Sequence, residues 1–367
     1  MDLSMLDHHI IENLENKTVN CSNSDLEHMT IGIYAQLRFQ VYFVLVGLIC
    51  CFGIVGNSLT VIVFHKDKQS ITTGFLLQCL AVSDMVTLSC MFLHQTLPAL
   101  YPYTGKLQGY YHVSTYIIPY IWPLRLIANT CSLFIITIVT VDRYIRVVLS
   151  MTSSKWIKIL KYTKTILVIA IMLAIAINVP RFFALKSETV LDVCSGEYIP
   201  YTNLTKFYVN YKLLLYTIDV FIYLIPFITM LIFNTKLCIS VYRANKQRTK
   251  ETRSNNITRS ITIVLISVVM VFLICETPIR VYRLLLLNLA QVEEDTFLLT
   301  SESGYYFQLA SDALTTVNSS ANFVIYSMVG QRFRKILKEV FCRCGKRFRF
   351  KPIPSVSKSG ITDHDSL

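Results

Sequence analysis

The sequence predicts an all-α membrane protein, a seven-transmembrane helix bundle followed by a cytoplasmic amphipathic helix. Its 367 residues are 53% hydrophobic and 16% charged, and the mean hydropathy is +0.49. This composition is too apolar for an ordinary soluble protein of that size. About 20 apolar residues are needed for a helix to cross the hydrocarbon core, where the backbone must be hydrogen-bonded internally. Seven segments meet this requirement: 39–64, 73–97, 116–141, 166–183, 209–233, 261–287 and 305–329.

The distribution of positive charge predicts the orientation of the bundle. Most of the 35 lysines and arginines follow the first, third, fifth and seventh segments. Because such residues concentrate on the cytoplasmic side, we expect a multi-pass protein of the plasma membrane with an extracellular N-terminus. The net charge of +12 is then explained by cytoplasmic lysines and arginines that are attracted to the anionic inner leaflet, and it does not indicate nucleic-acid binding. We divide the chain into an extracellular N-terminus (1–38), the bundle (39–330), an amphipathic helix 8 (331–342) and a cytoplasmic tail (343–367).

Two kinds of covalent modification are predicted from this topology. Asn16, Asn20 and Asn203 begin glycosylation sequons on the outer side. Cys342 and Cys344 directly follow the amphipathic helix and suit palmitoylation, although free cytoplasmic cysteines are the alternative.

Polar residues inside the predicted helices indicate an internal network. Asp84 is an acid within the second segment, where a charge is costly. Hydroxyl and amide oxygens of the third and seventh segments could join it in holding a small cation such as Na⁺. The alternative is a purely structural hydrogen-bond centre. Asn57 of the first segment should also face the bundle. The proposed network consists of Asp84, Ser132, Asn318, Ser319, Asn322 and Asn57.

The third segment ends at the triplet Asp142-Arg143-Tyr144, which we interpret as a switch. An acid and a guanidinium at the edge of an apolar helix are expensive unless they are paired. We expect Asp142 to pair with its neighbour Arg143. Release of that pair would leave the guanidinium, with its five donors, available to a cytoplasmic partner.

Several motifs carry a family resemblance. The sequence VDRYI at the inner end of the third helix resembles the signature of rhodopsin-like (class A) G-protein-coupled receptors. NVPRFF, IPFITMLIFNTKL followed by RANKQR, and NSSANFVIY followed by GQRFRKI resemble invertebrate FMRFamide-type neuropeptide receptors and their myosuppressin-receptor relatives. This resemblance implies a heterotrimeric G protein as partner, with arrestin and receptor kinases, an allosteric Na⁺ at Asp84, and a switch formed by Arg143 and Tyr326.

The sequence also departs from the class in places. The outer end of the third helix has no cysteine, so the bridge that the class usually makes to the second outer loop cannot form. Cys21 and Cys194 are the cysteines left in the oxidising exterior, either bridged or as two free thiols. Glu276 stands where the class usually has tryptophan.

Charged and polar residues gather in the predicted outer half and form a candidate ligand site. Amidated peptides ending in Arg-Phe carry a guanidinium, which prefers a planar carboxylate. We therefore expect Asp312 or Glu276 to accept it, whereas Arg125 would repel an amine. The alternative is an internal Arg125–Glu276 salt bridge. The candidate ligand-binding residues are Gln95, Tyr120, Arg125, Asp219, Glu276, Arg280 and Asp312.

The leading hypothesis is a G-protein-coupled receptor for a neuropeptide, an amidated RFamide-like peptide, and the alternative is a chemosensory or orphan class A receptor for a small molecule. A secondary transporter is disfavoured because neither inverted repeats nor broken helices are visible. An enzyme is disfavoured because the sequence lacks a His/Glu metal spacing, a nucleophile elbow and a phosphate loop. We expect no cofactor beyond Na⁺ and no metal site.

Overall fold

A computed structural model describes residues 25–67, 71–149, 162–191, 198–246, 253–289 and 302–347. These residues form a bundle of long helices with one β-hairpin. Helix α1 is continuous through Asp25–Arg38, the π-helical Phe39–Val46 and Gly47–Lys66. The other helices are α2 (Ile71–Met91, continued by Phe92–Thr96, Pro98–Leu100 and Tyr101–Thr104), α3 (Gln108–Tyr144, continued by Ile145–Leu149), α4 (Thr163–Asn178, continued by Val179–Phe183), α5 (Lys206–Lys246), α6 (Arg253–Leu289), α7 (Glu302–Val329) and α8 (Gln331–Arg347).

Helices α1 to α7 contain all seven predicted segments, which confirms the fold class. Within the described residues, six of them are long and apolar enough to cross a membrane. The seventh, α7, carries a run of buried polar residues, which include Asp312, Asn318 and Asn322. These polar residues lower the mean hydropathy of α7. They are tolerated because the polar face of this helix packs against the other helices.

A close helix contact joins α1 and α7. Gly53 lies so close to α7 that a Cβ atom there would be 2.3 Å from Ser320 Oγ. The Ser320 hydroxyl is fixed in place, since it donates to the carbonyls of Ile49 at 3.1 Å and Thr316 at 2.9 Å. Small residues allow this close approach of two helices, as is usual inside membranes.

A β-hairpin that the sequence analysis did not predict covers the outer end of α3. Its strands, β1 (Leu185–Leu191) and β2 (Tyr198–Leu204), pair antiparallel. The hydroxyls of Ser187 and Thr202 both donate to the carbonyl of Thr115 in α3, at 2.8 and 3.4 Å. In a regular helix this carbonyl would accept from residue 119, but Pro119 has no N–H. The proline therefore leaves an acceptor that the hairpin uses.

Helix α8 docks on the inner end of the bundle through one aromatic side chain and one ion pair. Phe333 is buried, and its ring lies 5.6 Å from the rings of both Phe64 and Tyr326. Arg332 donates to the carboxylate of Asp67 at the end of α1. This amphipathic helix begins at the predicted position, residue 331, and ends at Arg347, five residues beyond the predicted end at 342.

Candidate functional site

Three ion pairs lie in the half of the bundle nearer the hairpin, where the ligand site was predicted. One joins α3 to α7, one joins the end of α4 to α5, and one lies within α6. Buried charges are costly, and each of these is compensated by an opposite charge. The pairs are Arg125 with Asp312, Arg181 with Asp219, and Arg280 with Glu276.

Asp312 is held from two other helices. Its Oδ1 lies 3.4 Å from Nη1 of Arg125, and its Oδ2 accepts a hydrogen bond of 3.0 Å from the hydroxyl of Tyr42 in α1. The structure therefore pairs Arg125 with Asp312 and not with Glu276, which corrects the alternative salt bridge considered from the sequence. The sequence analysis did not identify Tyr42, since a tyrosine in an apolar helix carries no charge to single it out.

Glu276 is completely buried, with 0% of its surface exposed. Its Oε2 accepts from Nη2 of Arg280 at 2.9 Å and from Nδ2 of Asn129 at 3.4 Å. Its Oε1 has no hydrogen-bond partner among the described residues. The guanidinium of Arg280 lies 5.1 Å from the ring centroid of Tyr223. A buried carboxylate oxygen without a partner costs about 1–3 kcal/mol, so Glu276 destabilises the fold and calls for a functional reason.

Asp219 pairs with an arginine that the sequence analysis did not assign to the site. Arg181 donates to the carboxylate of Asp219 and, at 3.0 Å, to Oδ1 of Asn178. Asn178 in turn donates to Oγ1 of Thr130 in α3 at 3.2 Å. Arg181 could have been found by the same reasoning as the other charges, because it follows an apolar helix and has an acid available on the next one.

The remaining ligand candidates are separated by the structure. Gln95 is buried in the π-helical continuation of α2, beside His94. Tyr120, by contrast, is 66% exposed on α3 and shares its face with the exposed Tyr116 and Leu124, each four residues away. That face points out of the bundle, so the structure places Tyr120 away from the three ion pairs.

Asp84 lies at the centre of a buried polar network. Ser132 Oγ donates to its Oδ1 at 2.9 Å, and Asn322 Nδ2 donates to its Oδ2 at 2.7 Å. Asn57 donates to the carbonyl of Ser319 at 2.9 Å, which connects α1 to the same stretch of α7. Asn318 precedes Ser319 in the sequence and is also buried. Donors from α3 and α7 thus converge on the carboxylate of α2.

The inner end of α3 differs from the predicted pairing. Asp142 accepts two hydrogen bonds from Arg146, one turn later, at 2.9 and 3.1 Å. Arg143 instead donates to the hydroxyl of Thr73 at the start of α2. The reason is geometric: side chains four residues apart share a helix face, whereas adjacent ones do not. The predicted Asp142–Arg143 pair is therefore replaced by Asp142–Arg146.

Two tyrosines of the predicted switch pack against aromatic side chains. Tyr144 lies 4.7 Å from the ring of Phe233 in α5. Tyr326 is buried between Phe64 and Phe333, and its hydroxyl has no hydrogen-bond partner among the described residues. Tyr326 therefore connects α7 to both α1 and α8, and its hydroxyl is available for a new contact.

Several predicted modification sites lie outside the described residues. They are Asn16, Asn20, Cys21 and Cys194, together with the side chains of Cys342 and Cys344, and they stay predictions. Asn203 is described: it lies in β2, and its Nδ2 donates to Glu188 Oε2 of β1 at 2.9 Å.

Comparison with known proteins agrees with this architecture. Residues 56–326 match the family described as 7 transmembrane receptor (rhodopsin family). The chain is 28% identical over 319 residues to the FMRFamide receptor of Drosophila melanogaster, covering 83% of this chain and 54% of that one. It is 28% identical over 302 residues to the FMRFamide peptide receptor frpr-18 of Caenorhabditis elegans, covering 78% and 65%. The human C-C chemokine receptor type 6 is 27% identical over 332 residues, covering 87% and 82%.

The chain thus spans about half the length of the fly receptor and about two thirds of the nematode receptor. The family match covers most of the chain and includes the network around Asp84, the triplet at Asp142 and, as its last residue, Tyr326. The helices, their order and these contacts lead to one conclusion. The chain belongs to the rhodopsin family of seven-transmembrane receptors, a family of multi-pass membrane receptors and not of enzymes.

Proposed function

We propose that the chain is a G-protein-coupled receptor of the plasma membrane for an amidated, RFamide-like neuropeptide. Its N-terminus is extracellular, and its tail and the inner ends of its helices face the cytoplasm. The similarity to two FMRFamide receptors supports a peptide ligand, and the charge distribution supports the orientation.

The observation that carries the proposal is the set of three ion pairs in the outer half of the bundle. Buried charge of this density is a cost that a receptor for an apolar ligand has no reason to bear. An amidated peptide that contains arginine offers a guanidinium and several amide groups, which such a site can bind through charge-assisted hydrogen bonds. Peptide recognition therefore gives the ion pairs a use.

Agonist binding would act by shifting an equilibrium between inactive and active arrangements. In the structure Arg143 is held by Thr73, and the hydroxyl of Tyr326 has no partner among the described residues. In the active arrangement both side chains would leave these positions and line a cytoplasmic cleft for a heterotrimeric G protein. Arrestin and receptor kinases would act on the same face.

Sodium would act as an allosteric ligand at Asp84. The carboxylate oxygens of Asp84 and the hydroxyl oxygen of Ser132 already meet there, which suits a small cation. Asn322 now directs its amide nitrogen at Asp84, so it would have to turn its amide oxygen inward to join the cation. A cation would favour one arrangement of α2, α3 and α7 over the other. The test is agonist affinity in NaCl against N-methyl-D-glucamine chloride. A difference that disappears in Asp84→Asn supports the site, and equal affinities in both salts contradict it.

The receptor assignment is tested by measuring calcium and cAMP responses in cells that express the full chain with a surface tag. The cells are challenged with amidated peptides ending in Arg-Phe, the same peptides with a free carboxylate, and biogenic amines. We expect selective responses to the amidated peptides. The matched control is Arg143→Ala, which should reach the surface and bind but not signal. Silence across the peptide panel despite surface expression would refute the proposal and favour a small-molecule receptor.

A further inference from the structure

We propose that the carboxylate of Glu276 is the subsite for a guanidinium of the ligand, an inference that rests on the peptide-receptor function proposed above. The argument begins with its unpaired oxygen. Oε1 is fully buried and without a hydrogen-bond partner among the described residues, although Oε2 accepts two donors. A half-satisfied carboxylate inside a membrane protein is unfavourable on its own. A ligand that supplies donors to Oε1 removes this cost.

The other two carboxylates of the candidate site are less available. Asp312 uses both of its oxygens, one for Arg125 and one for Tyr42. Asp219 is bonded to Arg181, which reaches it from the end of α4. A guanidinium arriving at either acid would have to break an existing interhelical ion pair. At Glu276 it gains an oxygen that has no hydrogen-bond partner among the described residues, and the pair that opens there, Arg280 with Glu276, lies within one helix and joins no two helices.

The charge around Glu276 favours a cation. Glu276 and Asp84 lie close enough to interact electrostatically. Asn129 and Ser132, one turn apart on α3, contact one of these acids each. The bonded partners of Asp84 are neutral, so Arg280 compensates one of two acids when both are ionised. When Asp84 holds no Na⁺, one further monovalent cationic group makes this part of the bundle neutral.

Access to the subsite is controlled by Arg280. This residue lies one turn beyond Glu276 toward the outer end of α6, and 18% of its side chain is exposed. Its guanidinium packs on the ring of Tyr223, with a separation of 5.1 Å. Rotation of Arg280 away from Glu276 opens a route to Oε1, and the ring of Tyr223 then becomes available to an incoming guanidinium. The specificity for an arginine-containing ligand follows from this geometry.

The inference is tested with two matched probes, the dipeptide Arg-Phe-amide and its citrulline analogue, in which a neutral urea replaces the guanidinium. The thermal stability of the purified full chain is measured with each. For the wild type, Arg-Phe-amide at ten times its dissociation constant should raise Tm by about 2 °C, and the citrulline probe at the same concentration should not. Equal stabilisation of the wild type by both probes would overturn the inference without requiring any variant to fold.

The variants Glu276→Gln and Asp312→Asn make the same change from carboxylate to amide at two sites. We expect Glu276→Gln to abolish the discrimination between arginine and citrulline, and Asp312→Asn to keep it. The reverse result would assign the guanidinium to Asp312 and refute the inference.

Cell signalling then separates this inference from the proposed function. In an active amidated peptide, citrulline in place of arginine should cost about 10- to 100-fold in potency on the wild type and nothing further on Glu276→Gln. If peptides signal and citrulline lowers potency on Glu276→Gln by the same factor as on the wild type, the subsite is refuted and the receptor function stands. If no peptide signals while Arg-Phe-amide still discriminates in the stability assay, the receptor function is refuted and the subsite stands.

Discussion

Substituting Gly53 by alanine tests the close contact between α1 and α7. A Cβ atom at this position would lie 2.3 Å from Ser320 Oγ, 2.6 Å from Leu88 Cδ1 and 2.9 Å from Ser320 Cβ. Ser320 cannot turn aside without losing its hydrogen bonds to two carbonyls. Overpacking of this kind costs about 1–3 kcal/mol, and contacts this short justify the upper end. Alanine returns about 1 kcal/mol through its better helix propensity.

The net destabilisation is therefore about 2 kcal/mol, which corresponds to a fall in Tm of roughly 2–3 °C for a chain of 367 residues. The measurement is thermal unfolding of the purified receptor in detergent. Gly32→Ala is the matched control, since it lies in the same helix and its Cβ would have no atom within 4 Å. It should keep or slightly raise Tm. A Gly53→Ala variant at least as stable as Gly32→Ala would refute the packing argument.

Three further predictions follow from the ion pairs and the hairpin. Asp219→Ala leaves the buried Arg181 without its acid, which should lower the free energy of unfolding by about 3–5 kcal/mol and reduce surface expression. Asp219→Leu combined with Arg181→Met should recover most of the expression. No recovery would contradict the ion-pair account. Arg146→Ala leaves the buried carboxylate of Asp142 without its ion-pair partner, so surface expression should fall, whereas Arg146→Lys should retain it. Wild-type expression of Arg146→Ala would contradict this account. Hydrogen bonding, first of all from Lys186, holds the pKa of the Glu188 carboxyl below its usual range. The stabilisation is present above the ordinary carboxyl pKa and is lost as the pH falls through the lowered value, so amide protection in β1 and β2 should decrease there in the wild type and not in Glu188→Gln.

Hydropathy was sufficient to locate the helices because each one must supply its own backbone hydrogen bonds and an apolar surface. The same signal could not reveal the β-hairpin. Its strands are short and polar, with Lys186, Glu188 and Thr202 among their residues, and they are stabilised by docking on α3. Tertiary contacts of this kind leave no periodic pattern in the sequence.

The sequence identified most of the charged residues of the candidate site, but it did not identify which of them form ion pairs with each other. Intramembrane charge was enough to identify Arg125, Glu276 and Asp312, because such residues need a partner. Which acid pairs with which arginine depends on the rotation of each helix, which composition does not encode. The partner of Asp142 could have been found, since the four-residue spacing to Arg146 is visible in the sequence.

The carbonyl of Thr115 is an anchor point for the hairpin on α3. The two hydroxyl donors on this carbonyl make bonds that separate and re-form by thermal motion. The hairpin is held by these bonds, worth about 1 kcal/mol each, and by Leu185 of β1, which is buried in one apolar cluster with Ile118 and Trp122 of α3. Because Pro119 makes that carbonyl available, a proline within α3 helps to set how firmly a separate element, the hairpin, is held.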